Sequence, residues 1–117
     1  MAEHEERLRR LALGDETFIE SLIALGPESS EVSRLDPKTH ALVRLGALLG
    51  AGAAPVSQHH GVAMALATGA SAEEIVGTLV AVASIIGTAR VVSAAPELAV
   101  PIGYDIDAAL EELNGGP

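Results

Sequence analysis

The sequence contains no cysteine and no tryptophan, and it has only one phenylalanine and one tyrosine among 117 residues. A chain without a thiol excludes thiol catalysis, Cys-ligated zinc, iron–sulfur clusters and disulfide cross-links. Apolar residues still make up 49% of the sequence, so we expect a core of Ala, Val, Leu and Ile side chains. The length fits a single small domain spanning residues 1–117.

Basic residues are scarce as well, with 7 Lys and Arg against 16 Asp and Glu and a net charge of −9. The acidic excess lies at the two ends, which divides the domain into N-terminal acidic helices (1–34), a nearly neutral core (35–95) and a C-terminal acidic segment (96–117). An acidic surface repels phosphate backbones, and no basic stripe offsets it. We therefore expect no nucleic-acid partner.

Targeting and membrane signals are missing too. Residues 1–7 are charged and lack the apolar stretch of a signal peptide. The longest uncharged run of the second half, residues 75–89, is shorter than the roughly 18–20 residues that span a bilayer. We expect a cytoplasmic protein with no membrane partner.

Helical spacing and capping signals predict an all-α fold, a compact bundle of about six helices. Asp36-Pro37 and Ser71-Ala72-Glu73-Glu74 are strong helix starts, the second being a capping box. The remaining polar stretch, residues 28–34, is predicted to be a connector, and Pro96 to end a helix. The predicted helices cover residues 3–13, 16–25, 37–49, 55 or 57 to 68, 72–86 with a continuation over 89–95, and 105–113.

The helix predicted over residues 72–86 carries apolar side chains on more than one face, including Ile75, Leu79, Val80 and Ile85. Such a helix must be surrounded on all sides, and a chain of this size has few elements to surround it. A second subunit would supply the missing cover, so we expect a homo-oligomer. The alternative is the central helix of a monomer.

Two segments in order resemble the carboxymuconolactone decarboxylase-like superfamily, which includes the alkyl hydroperoxidase D-like proteins. They are Leu35-Asp36-Pro37-Lys38-Thr39 and the run Ala65-Leu66-Ala67-Thr68-Gly69-Ala70-Ser71-Ala72-Glu73-Glu74-Ile75. The resemblance covers residues 35–92, and its most specific part begins at Gly69. It implies an all-helical protomer that assembles as a dimer, trimer or hexamer with sites near subunit contacts.

The redox chemistry of that superfamily does not transfer. Its Cys-x-x-Cys-x-x-x-His motif, counted back from Gly69, falls on Ala54, Ser57 and Gly61, and its acidic residue falls on Ala41. A thiol-dependent hydroperoxide reductase needs a thiolate. We therefore expect no thiol-dependent peroxidase activity from this chain.

The decarboxylase branch keeps a histidine in the same helix, and the resemblance implies a cofactor-free reaction at His60 or its neighbour His59. Counting from Asp36 reaches His60, whereas counting from Gly69 reaches the next residue. Loss of CO2 needs a proton to take up the electrons of the breaking bond, and histidine, which exchanges protons near neutrality, can deliver it. Ser57 and Gln58 are candidates to hydrogen-bond a lactone carbonyl, and Arg44 and Arg90 to hold a carboxylate.

Each candidate has a structural alternative. Adjacent helical residues point about 100° apart, so one of His59 and His60 would face solvent or a subunit contact. Ser57 is also a candidate N-cap, and Arg44 and Arg90 are candidates for ion pairs across an interface. His40 is expected at the surface, and no ligand spacing among the histidines supports a metal site.

Two functions remain open. The first is a cofactor-free decarboxylase or lyase acting on a small carboxylated lactone-type substrate, with His60 as acid or base. The second is a non-catalytic oligomeric scaffold or small-ligand binding protein on the same fold. The low aromatic content and the missing relay favour the second, whereas the His59-His60 pair beside a Gly-rich turn favours the first.

Overall fold

Eight helices form the secondary structure of the computed structural model, which describes residues 2–26 and 29–115. The described residues contain no strand, and the all-α prediction is confirmed. The helices are α1 (Glu3–Ala12), α2 (Glu16–Ile23), α3 (Ser30–Ser33), α4 (Pro37–Gly50), α5 (Pro55–Ala67), α6 (Ala72–Ile86), α7 (Thr88–Ile102) and α8 (Ile106–Gly115).

The two strong helix starts have the predicted geometry. The Asp36 carboxylate accepts the backbone N–H of Thr39 at 3.0 Å, and Pro37 is the first residue of α4. At α6 the Ser71 hydroxyl accepts the Glu74 N–H at 3.0 Å, and the Glu74 carboxylate accepts the Ser71 N–H at 2.9 Å. Each cap satisfies backbone donors that the first helical turn leaves free.

The described residues contain two more helices than the roughly six predicted. One is the short helix α3, which lies within the predicted connector; Glu28, the first residue of that connector, lies outside the described residues. Gly87, at φ +87°, also separates α6 from α7.

The prediction that Pro96 ends a helix is wrong, because α7 runs through both Pro96 and Pro101. Proline removes a helical N–H and crowds the preceding turn, at a cost of about 3 kcal/mol in a helix interior. Burial of Ala94, Leu98 and Ala99 in the same helix opposes that cost. The segment boundary drawn at residues 95/96 falls inside α7.

Helices α4 to α7 pack together around the core. Leu45 and Leu49 of α4, Val62 of α5 and Ile75 of α6 are fully buried at its centre. No aromatic side chain is buried anywhere in the described ranges, so the predicted aliphatic core is confirmed.

Helices α1 and α2 lie outside this bundle, and the molecule is elongated. The molecule measures 67 × 27 × 22 Å, and neither α1 nor α2 contains a buried residue. Over residues 2–26 and 29–115, no helix has both the length and the hydropathy needed to cross a membrane.

Candidate functional site

A cavity of about 410 Å³ lies between α4 and α5, and we call it the α4–α5 cavity. Its lining residues follow one another at intervals of mostly three and four along each helix, so each helix contributes a single face. They are Ala41, Arg44 and Leu48 from α4 and Val56, Ser57, His60, Gly61 and Met64 from α5.

Gly61 sets the spacing of the two helices beside His60. A Cβ atom at this position would lie 2.9 Å from Cδ1 of Leu48 and 3.3 Å from Cδ1 of Leu45. The first distance is shorter than an ordinary carbon–carbon contact. Glycine therefore permits α4 and α5 to approach each other at the cavity wall.

Three of the predicted site residues meet in this cavity: His60, Ser57 and Arg44. His60 and Arg44 are exposed, and Ser57 is partly buried. No ion pair engages Arg44 within the described part of the chain, so its guanidinium keeps its donors for a ligand. A guanidinium fits a carboxylate through two parallel hydrogen bonds, and an imidazole beside it can donate or accept a proton.

Ser57 is not the N-cap of α5. Ala54 occupies that position and Pro55 is the first helical residue, so Ser57 is the third residue of the first turn. Its side chain lines the α4–α5 cavity.

His59 lies on another face of α5. Its Nε2 atom is 2.7 Å from Oε2 of Glu97 on α7, and both side chains are about one third exposed. The two adjacent histidines therefore point in different directions, as expected on a helix: His60 faces the α4–α5 cavity and His59 faces α7.

Gln58 and Arg90 are also positioned outside the cavity. Gln58 is 7% exposed, and its amide nitrogen donates to the carbonyl of Ala53 at 3.1 Å. The Arg90 guanidinium donates to the carbonyl of Gly50 at the end of α4. Both side chains bond the backbone of the α4–α5 turn, where the last carbonyls of α4 need donors.

His40, expected at the surface, is instead partly buried and bonded to Ser33. It does not converge with His59 and His60. In the described ranges no three His, Asp or Glu side chains are arranged to hold a metal ion.

Sequence reasoning missed Met64 and Leu48 in the cavity wall and Glu97 as the partner of His59. Spacing could have identified Met64, because it follows Ser57 and His60 at seven and four residues on one helical face. Glu97 carries no such signal, since it lies 38 residues away and follows a proline expected to end the helix.

Comparison with known proteins gives one match. No curated protein and no solved structure matches the chain. Residues 20–99 match the model of the carboxymuconolactone decarboxylase family, a span that contains α4, α5, α6 and both linings of the α4–α5 cavity. The chain belongs to the carboxymuconolactone decarboxylase family.

Proposed function

We propose that the α4–α5 cavity binds a small carboxylated lactone-type molecule and that His60 acts there as the acid or base of a decarboxylation. The observation that carries this proposal is the meeting of Arg44 from α4 with His60 and Ser57 from α5 in one cavity. A volume of about 410 Å³ lies in the range of small-molecule sites, roughly 300–1,000 Å³.

The roles follow from the chemistry of the three side chains. Arg44 pairs with a carboxylate of the ligand, and the Ser57 hydroxyl hydrogen-bonds the lactone carbonyl. When the carbon–carbon bond to the departing carboxylate breaks, CO2 leaves and its electron pair enters the unsaturated lactone. His60 then delivers a proton to the lactone carbon that takes up this electron pair.

A second function, binding without turnover, is favoured by one observation. None of the residues that line the α4–α5 cavity is an acid, so His60 has no carboxylate there to orient it or to share its proton. Arg44, the apolar wall and Ser57 would still hold a carboxylated ligand.

The experiment is to incubate the protein with unsaturated lactone acids and to measure CO2 release together with the loss of ultraviolet absorbance. His60→Ala should lower kcat by about 10²-fold or more, as expected for loss of a general acid. Arg44→Gln should mainly raise KM, because it removes a contact made before and during the reaction.

His59→Ala is the matched control, because it removes a histidine from the neighbouring position but from another face of α5. Its kcat should equal that of the unmodified protein. Turnover that survives His60→Ala would contradict the catalytic proposal. Binding that is lost with Arg44→Gln, in a protein that turns over none of the acids, would instead support the binding function.

We also propose that copies of the chain associate through the outer face of α6. This face, defined by Val76, Gly77, Val80, Ala81, Ser84 and Ile85, is exposed and carries no charge. Copies with a net charge of −9 repel one another, so an uncharged surface is where they approach at least electrostatic cost. Its small residues allow close helix packing, and its larger ones supply apolar area.

A further inference from the structure

A second and larger cavity, of about 800 Å³, lies between α1, α2, α3 and the first turns of α4. We call it the N-terminal cavity. Its apolar wall includes Leu11, Phe18, Leu22 and Leu25. None of these four side chains is buried, so they surround the space without filling it. The volume lies in the range of small-molecule sites.

Basic residues are concentrated at this cavity. Four of the chain's seven Lys and Arg residues line it, as do two of its four histidines. The four arginines are Arg7, Arg10, Arg34 and Arg44. Against three lining glutamates they leave a local charge of +1, in a chain whose net charge is −9.

The arginines differ in what they already bind. Arg7 donates to the carbonyl of Val32 at 2.8 Å. Arg10 contacts the Asp15 carboxylate and lies 4.3 Å from the centre of the Phe18 ring, and Arg34 pairs with Glu3. Of the four, only Arg44 makes no ion pair or protein hydrogen bond within residues 2–26 and 29–115, so it is the donor that a ligand would meet.

His40 also borders the cavity, but its free ring nitrogen is not a donor for an anion. The Ser33 hydroxyl donates to the carbonyl of Ser30, so it accepts the Nδ1–H of His40 at 2.8 Å, and the neutral ring then has only a lone pair at Nε2. That Nε2 atom is also buried, without a partner among the described residues. His40 and Arg44 are four residues apart on one face of α4, and Arg44 is the one of the two that can bond an anionic ligand.

We propose that the N-terminal cavity is a binding site for a small amphipathic acid, a molecule with an apolar body and one carboxylate. The carboxylate bonds Arg44, and the apolar body occupies the space bounded by Leu11, Leu22 and Phe18. This site shares Arg44 with the α4–α5 cavity but does not depend on any reaction there.

Octanoate is the probe, with octan-1-ol as the neutral molecule of the same length, and binding is measured by isothermal titration calorimetry. We expect octanoate to bind and octan-1-ol to bind at least about tenfold more weakly, since it lacks the charge-assisted hydrogen bonds. Arg44→Gln should weaken octanoate binding about tenfold and bring the affinities of octanoate and octan-1-ol together.

Leu22→Trp tests the site from α2, because it places a larger side chain in the apolar wall without altering α4. It should weaken octanoate binding about tenfold and leave any His60-dependent turnover unchanged. His60→Ala is the matched control and should bind octanoate as the unmodified protein does. Circular dichroism confirms that each variant remains folded.

Three results would overturn the proposal. Equal binding of octanoate and octan-1-ol would show that the charged groups do not take part. If His60→Ala loses octanoate binding and Leu22→Trp retains it, the acid binds in the α4–α5 cavity. Absence of octanoate binding, together with a change of molecular mass in Leu22→Trp, would show that a second copy of the chain covers this surface.

Discussion

His59 Nε2 and Glu97 Oε2 lie 2.7 Å apart and join α5 to α7 across 38 residues of sequence. The contact involves the histidine that does not face the α4–α5 cavity. It therefore assigns different tasks to two adjacent histidines: His59 links helices, and His60 is available to a ligand.

A double-mutant cycle tests the linking role. His59→Ala and Glu97→Ala should each lower the free energy of unfolding by about 1 kcal/mol, because a partly buried hydrogen bond is lost. The double variant should lose less than the sum, with a coupling energy of about 1 kcal/mol in chemical denaturation. Strict additivity would show that the two side chains do not interact in solution.

Gly61→Ala should reduce ligand binding in the α4–α5 cavity. The added methyl group would displace the Cδ1 atom of Leu48, a residue of the cavity wall. Gly46→Ala is the matched control on α4, since its methyl group would meet Val82 and Thr78 at 3.5 and 3.6 Å, which are ordinary contacts. Gly46→Ala should be neutral or should stabilise the helix by up to about 1 kcal/mol.

The measurement for this pair is the Kd of a carboxylated lactone together with the melting temperature of each variant. If the two variants bind the lactone with the same Kd, the close approach of α4 and α5 at Gly61 does not determine the shape of the cavity.

The N-cap of α4 should contribute to acid unfolding. Hydrogen bonds from the Thr39 hydroxyl, at 2.6 Å, and from the Thr39 backbone N–H hold the pKa of Asp36 below its ordinary value. A carboxyl whose folded pKa is lowered stabilises the fold above its unfolded pKa, and this contribution is lost as the pH falls through the folded value. The loss therefore begins near pH 4, at about the ordinary aspartate pKa, and continues below it.

Asp36→Asn keeps a good cap without a titrating group, so stability at pH 7 should be nearly unchanged and the fall below about pH 4 shallower. Asp36→Ala removes the cap and should destabilise the protein at both pH values. Urea unfolding at pH 7 and pH 3 separates the two effects. Identical acid profiles for the unmodified protein and the Asp36→Asn variant would refute the charge contribution.

The outer face of α6 should govern association. Val80 is 68% exposed on this face, and Val80→Lys would place a desolvated charge at a contact between copies. Sedimentation velocity should then show a shift toward monomer. Val100→Lys, at a valine that is 64% exposed on α7, is the matched control and should keep the original mass. The interface would be rejected if the unmodified protein is a monomer. It would also be rejected if the unmodified protein, Val80→Lys and Val100→Lys all have the same mass.

The sequence predicted those parts of the fold that depend on local chemistry. Asp36-Pro37 and the Ser71 box specify helix starts through bonds within one turn, and both are present as expected. Pro96 misled the prediction because its local penalty is opposed by burial along α7, which depends on residues from other helices. Local rules identify where a helix can begin more reliably than where packing allows it to continue.

The candidate site shows the same division. His60, Ser57 and Arg44 meet in one cavity, but Gln58 and Arg90 bind the backbone of the α4–α5 turn instead. Residue type alone did not separate these groups, because both arginines suit a carboxylate and both polar neighbours of His60 suit a carbonyl. Only the rotation of α5 and the path of the turn decide which ones face the cavity.

Arg44 belongs to the lining of both cavities. One guanidinium can offer its pair of parallel donors to a single acid at a time, so acids in the two cavities would compete for it. Such antagonism is reciprocal, since each ligand weakens the other by the same factor. An acid bound in the N-terminal cavity would thereby lower the affinity of the α4–α5 cavity for its own ligand, without any change of fold.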